Sequence, residues 1–288
     1  MKRRRNSRSG RGVLERTKTG QSGKLIKMEP IVEIIKAAIF TGRLHDEKPV
    51  SIMLVAEQES AKTEALKYFR GTKTIRYISD LTSKGLNPYK KEIMEHKVRH
   101  IVLLDLVRIL SHGKGVSERT IQTIASLMEE GESETSDAGG RDTWGETFPK
   151  IGALMGITPA FFRSKRGRWR ETGFLTRFVP VCFRYSDETV KLIHGSIKNG
   201  GSTPSPHPVS IPEANVMVSL KDEFATILSH KSRELGERMR TYGFRYHRIL
   251  RALAKGQAAM QNRGVVQLCD VTQVLEWSEF FTDKEVIL

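Results

Sequence analysis

The 288-residue chain has only two cysteines, Cys182 and Cys269. Two thiols so far apart make neither a disulfide framework nor a metal-ligand pair, and the histidines show no ligand spacing. Both cysteines have apolar neighbours, which predicts two buried thiols in a reducing cytoplasm. Apolar runs of the ~18 residues that a membrane span needs are absent, so no membrane partner is expected. The basic N-terminus is followed by no apolar segment, which argues against a secretory signal. Internal repeats are absent too. Acidic charge is in deficit: 33 Asp and Glu face 48 Lys and Arg, a formal net charge of +15. Such an excess calls for a polyanionic partner.

That excess is concentrated at one end. Residues 1–27 hold ten Lys and Arg against Glu15 alone, and so carry +9 of the +15. This stretch reads as a disordered basic arm. It is either a solvated tail or a segment that contacts nucleic-acid phosphates, with Lys2, Arg3, Arg4 and Arg5 at its head. The remainder divides into an α/β region over 28–196, a Gly/Ser/Pro-rich linker over 197–209 and a helical module over 210–288.

Glu29 to Phe40 carries one apolar stripe (Ile31, Ile34, Ile35, Ala38, Ile39) and Pro30 in its first turn, the pattern of a helix. Near-continuous apolar runs predict buried parallel strands at 50–55, 74–79, 98–104, 151–157 and 179–183. Helices are expected at 62–69, at 118–130 with Ser117 as cap, and at 161–172. In the C-terminal module they are expected from 218, from 244 to 261, and after a capping box of Asp270 and Gln273. The fold class is therefore α/β, a five-stranded parallel sheet flanked by helices and followed by a small helical lid.

Alternating strands and helices put ligands at the carboxyl ends of the strands. Val50 to Leu66 reads there as strand, tight loop and helix start. Ala56, Ala61, Lys62 and Thr63 stand where a phosphate-binding loop has Gly, Gly, Lys and Ser/Thr. In such a loop backbone amides, Ser60 among its residues, face phosphate oxygens. Lys62 would meet the β- and γ-phosphates, and Thr63 would bind Mg²⁺. Alanine for glycine costs about 1 kcal/mol at each position that needs a left-handed backbone. The competing reading is an ordinary strand–helix turn.

Asp105 follows an apolar strand 43 positions after Lys62, as a Mg²⁺-organising carboxylate does; the alternative is a simple helix cap. Leu106 stands where a hydrolytic enzyme of this type has Glu. Thr158 ends the fourth strand, Arg177 precedes the fifth, and Arg245 opens a helix of the C-terminal module. Arg163, Lys165, Arg166, Arg168 and Arg170 surround Trp169, which suits phosphate contact with base stacking, or a solvated helix face docked on a neighbouring subunit.

The order of these features resembles the AAA+ ring ATPases, from residue 29 to about 282. Thr176-Arg177-Phe178 is similar to the finger of minichromosome maintenance helicases. The segment from Arg245 through Ala252-Leu253-Ala254 to Asp270-Val271 resembles the lids of that group and of Holliday-junction branch-migration motors. The resemblance implies ATP and Mg²⁺ as cofactors, DNA as partner and a homo-oligomer. It implies that Lys62 and Thr63 hold phosphate and metal, and that Asp105 organises the metal. Thr158 would be sensor 1, Arg177 a finger acting on a neighbour's ATP, and Arg245 sensor 2. The missing glycines and the missing glutamate imply weakened hydrolysis. The alternatives are a non-hydrolysing nucleotide- or DNA-binding adaptor on the same fold, and an RNA-binding protein driven by the arm.

Overall fold

The computed structural model describes residues 25–78, 88–110, 114–129, 149–201 and 204–281. The basic arm with Lys2, Arg3, Arg4 and Arg5 lies outside the described residues, as do the loop at 80–82 and the acidic stretch 131–146.

Five strands form one parallel sheet: β1 (Ile52–Val55), β2 (Ile75–Ile78), β3 (His100–Leu103), β4 (Gly152–Ile157) and β5 (Val179–Cys182). Their order is β2-β3-β4-β1-β5. Strands β1, β3, β4 and β5 are buried along their whole length, as apolar runs covered on both faces must be. Around them lie α1 (Glu29–Thr41), α2 (Lys62–Lys67), α3 (Lys90–Met94), α4 (Leu106–Leu110), α5 (Lys114–Glu129), α6 (Pro159–Glu171) and α7 (Asp187–Lys198). The C-terminal module contains α8 (Asp222–Arg238), α9 (Phe244–Met260) and α10 (Leu268–Ser278). Among the described residues no helix is long and apolar enough to cross a membrane.

Several expectations are corrected. Ser117 lies inside α5 instead of capping it, and its hydroxyl donates to Leu110 O. Asp270 is not the cap of α10. Gln267 is, with Asp270 closing the capping box three residues on, because Arg263 grips both Asp270 oxygens (2.6 and 2.8 Å) and fixes that carboxylate over the helix start. Cys182 is buried, but Cys269 is exposed in the first turn of α10. Helix α4 follows Asp105 directly, and α7 extends to Lys198, into the stretch expected to be linker.

The C-terminal module is docked on the α/β region through α1 and α9. A Cβ at Gly256 would come within 2.7 Å of Ala37 O, so the two helices meet backbone to backbone. Beside this contact the Lys255 ammonium, 3% exposed, binds Asp46 Oδ2 at 2.6 Å and Glu47 Oε1 at 2.9 Å. Gly256→Ala is expected to lower stability by about 1–3 kcal/mol through overpacking. Chemical denaturation measures it, and an unchanged stability would disprove the close approach.

His100 sits at the sheet's amino edge, fully buried, where a side chain at Gly152 would collide with its ring. Desolvation holds its pKa at about 4; the bond to Val50 O opposes this, and Arg99's charge adds to it. The unfolded chain, with an ordinary His pKa of about 6.5, binds a proton that the fold refuses. Stability is therefore complete above about pH 6.5 and falls as pH drops towards 4. In urea unfolding at pH 7 and pH 4.5, His100→Gln should remove about 2–3 kcal/mol of that decline.

Candidate nucleotide site

The connection from β1 runs to the far edge of the sheet, whereas those from β3 and β4 run the other way. Right-handed crossovers in opposite directions lay their helices on opposite faces, so a crevice opens between the carboxyl ends of β1 and β4. Val55 pairs with Ile157, which brings Ala56 and Thr158 side by side; Ala56 N donates to Ile157 O at 3.3 Å. Leu103 pairs with Met155, so Asp105, two residues on, comes level with Ile157. Ala56, Lys62, Asp105 and Thr158 thus share one edge.

The loop between Ala56 and Lys62 is tightly wound. Ala56 and Ser60 are buried, while Glu57 and Glu59 are exposed. Left-handed backbone occurs at Glu59 (φ 60°) and Ala61 (φ 57°), not at Ala56. The strain expected at 56 and 61 therefore falls at 59 and 61, because Ala56 simply continues the strand. Each costs about 1–2 kcal/mol for a residue with a Cβ. Ser60 Oγ donates to Glu57 O at 2.6 Å, and Tyr185 Oη donates to Ser60 O at 3.0 Å. The Lys62 ammonium turns back into the loop, donating to Ala56 O (2.7 Å), Ser60 Oγ (3.1 Å) and Glu57 O. Desolvation lowers its pKa, and the charges of Glu57 and Asp105 oppose that shift. A phosphate oxygen in this loop would exchange neutral carbonyl partners for a charged one, a stronger bond.

Thr63 lies half-buried in the first turn of α2. Asp105 is exposed and its Oδ1 accepts from Val107 N at 2.9 Å, so it caps α4 while leaving carboxylate lone pairs open. Among the described residues no group of three or more His, Cys, Asp or Glu could hold a metal. The donors here are a hydroxyl and one carboxylate. They fit Mg²⁺, which takes few protein ligands and completes its shell with water and phosphate oxygens. Thr158 caps α6, with Phe161 N donating to its Oγ1 at 3.4 Å.

Arg177 and Arg245 lie at the other edge. Arg177 immediately precedes β5, and a cleft of about 290 Å³ there joins it to Arg245, Glu47, Glu129 and Ser51. Arg245 Nη1 donates to Thr176 Oγ1; Arg177 Nη1 donates to Gly173 O at 2.8 Å, while its buried Nε has no partner. Ser51 and Ala56 flank β1 on either side, roughly 16 Å apart at 3.3 Å per residue. The two arginines and Lys62 of one chain therefore stand at opposite edges of the sheet.

Trp169 corrects its expected role. It is 3% exposed and packed edge-on against Phe162 and Phe174, with centroids 6.2 and 5.3 Å away, so no base can stack on it. Arg168 pairs with Glu118, and Arg166 is half-buried on the same helix. Tyr185, which ties the loop to the segment after β5, has no signal in the sequence pattern beyond its place three residues past the strand's carboxyl end.

No protein-family model matches the chain, and no curated protein does. Among solved structures, the crystal structure of a full-length MCM homolog from Methanopyrus kandleri is similar, with a TM-score of 0.53 and 12% identity. The likeness covers 91% of this chain but only 57% of that one. At this identity it concerns the fold alone. The chain has an MCM-like fold: a five-stranded parallel sheet flanked by helices and followed by a small helical module.

Ala61→Gly relieves the left-handed strain at 61 but adds freedom to the unfolded chain, about 0.4–1 kcal/mol. Its unfolding free energy should therefore stay equal to wild type or rise by up to about 1 kcal/mol. A drop in stability would show that the methyl group at 61 packs against its surroundings.

Proposed function

We propose that the chain is an ATP-binding, AAA+-like ATPase that acts on DNA as a head-to-tail homo-oligomer. One observation carries this reading: Lys62, Thr63, Asp105 and Thr158 stand at one edge of the sheet, and Arg177 and Arg245 at the other. A heterologous contact between copies, in which one edge meets the other, would unite them. The protein's part in catalysis is then electrostatic. Lys62 neutralises charge on the β- and γ-phosphates. Thr63 and Asp105 would hold Mg²⁺, which would supply positive charge beside the phosphates. Thr158 lies where it can orient water. Arg177 and Arg245 of the next copy offset charge that builds on the transferred group.

Hydrolysis is weak in this reading. Leu106, fully buried, follows Asp105 in place of a carboxylate base, and Glu57 and Glu59 qualify as bases only by proximity. These features also favour a second reading, an adaptor that binds nucleotide as a switch without turnover. The arm's +9 supplies the nucleic-acid affinity in both.

Filter binding of labelled ATP should show retention by wild type and loss in Lys62→Ala; equal retention would reject the site. DNA-stimulated phosphate release that vanishes in Asp105→Asn would exclude the adaptor. If turnover is present, Lys62→Ala and Arg177→Ala should each be inactive alone. Mixed one to one, they should regain about a quarter of wild-type activity, since only that share of heterologous contacts pairs an intact loop with an intact finger. No recovery would mean that the arginine does not act between copies. Deleting residues 2–27 should weaken DNA binding and flatten its salt dependence, by about 0.9 in log–log slope for each duplex phosphate that the arm neutralises.

A further inference from the structure

A second cleft, of about 1300 Å³, opens at the sheet's amino edge between the start of β2 and the segment 208–215. It is far larger than an ordered water or ion needs and roomy enough for a small organic molecule. Two buried polar groups that line it have no hydrogen-bond partner among the described residues: Arg43 Nε, on a residue 9% exposed, and Thr74 Oγ1, on one 3% exposed. Unsatisfied buried donors are rare, and each costs about 1–3 kcal/mol.

The charge count around the cleft points the same way. Three cations are matched by carboxylates: Arg76 with Glu92 (2.8 Å), Lys97 with Glu95 (2.6 Å) and Lys73 with Glu213 (3.9 Å). Among the described residues two guanidiniums are left over, Arg43 in the lining and Arg99 behind it, beside the lining residue His96, and they are the two most buried cations of the group. Arg99 donates to Gly42 O at 2.5 Å and meets His96 Nδ1 at 2.7 Å, both neutral. Desolvation pulls its pKa down to about 10, and the charge of Arg43 adds to that. Glu213 also faces Arg43, but it is exposed, already beside Lys73 and screened by water. The carboxyl end of α1 lies next to both arginines, yet a helix end supplies only about half a negative charge. Buried charge is ordinarily paired, and here about two positive charges are not.

We propose that this cleft binds a dianionic phosphate group, free or as the monoester of a small molecule, with Arg43 and Thr74 donating to its oxygens. Two negative charges answer the two unmatched guanidiniums. Lys73 and Lys97 at the rim can release their exposed carboxylates to a stronger acceptor. The site is separate from the Lys62 loop, which lies at the opposite edge of the sheet, and does not depend on ATP binding.

Isothermal titration with inorganic phosphate and with phenyl phosphate tests this, using Lys62→Ala protein so that the nucleotide loop does not contribute. Saturable binding is expected, weakened at least about tenfold in Arg43→Met and measurably in Thr74→Val, which preserves shape. Tighter binding of the ester identifies a small-molecule monoester as the ligand; equal binding identifies the free ion. Thermal unfolding supplies an independent readout. In phosphate-free buffer Arg43→Met should melt at or above the parent temperature, because it removes an uncompensated charge. Phosphate should raise the parent's melting temperature and leave the variant's unchanged. The proposal is overturned by non-saturable heats, by equal affinity in Arg43→Met, or by an Arg43→Met melting temperature that is lower with and without phosphate.

Discussion

The clamp between α9 and the segment before β1 governs the rest of the architecture. Lys255 is buried against Asp46 and Glu47, and Arg251 reaches Glu47 from one turn earlier at 3.2 Å. Burying an ammonium costs several kcal/mol, and only well-placed carboxylates offset it. The arrangement therefore tolerates little displacement. Gly256 removes the one side chain that would hold α9 away from α1. With these two residues fixed, Arg245 is fixed as well, about 15 Å further up the same helix at 1.5 Å per residue. That is how a residue of the C-terminal module comes to rest against Thr176, in the turn before β5.

Everything at the carboxyl edge follows from strand pairing; everything at the amino edge follows from helix docking. β1, β3 and β4 bring the Lys62 loop, Asp105 and Thr158 together through ladder hydrogen bonds. The opposite edge combines Arg177, held by the turn before β5, with Arg245, held by the clamp. The two edges also differ in strain. The Lys62 loop holds two non-glycine residues in the left-handed region, each stabilised less by its own backbone than by neighbours such as Tyr185 and the inward-turned Lys62. A loop held in this way is costly to keep unless its shape is used.

Much of the fold is legible in the sequence because its signals are local. Five apolar runs become five strands, and the stripe of Ile31, Ile34, Ile35 and Ile39 becomes the buried face of α1. Where a signal depends on partners beyond a residue's immediate neighbours, the reading fails. Trp169 among arginines looks like a stacking platform; Phe162 and Phe174 turn it into core. Asp270 has the composition of a cap, but Arg263 makes it the closing member of a box that Gln267 begins. The glycines missing at 56 and 61 predict strain at both, whereas the chain takes its second left-handed residue at 59.

The sequence alone determined which residues could form an α/β sheet and which polar residues would follow its strands, because strand burial and the start of a helix are encoded within a few neighbouring positions. Only the tertiary structure decided which of those residues meet. Ala56 and Thr158 are 102 positions apart and adjacent through one register. The order of motifs names Lys62 and Arg177, but only the parallel strands put them at opposite ends of the sheet. Nothing in the sequence pattern singles out Arg43, Thr74 or Arg99 as parts of a site. The burial of Arg43 and Thr74 in the lining of one cleft, with Arg99 behind it and more positive charge than the fold neutralises, exists only once α1, β2 and β3 are packed together.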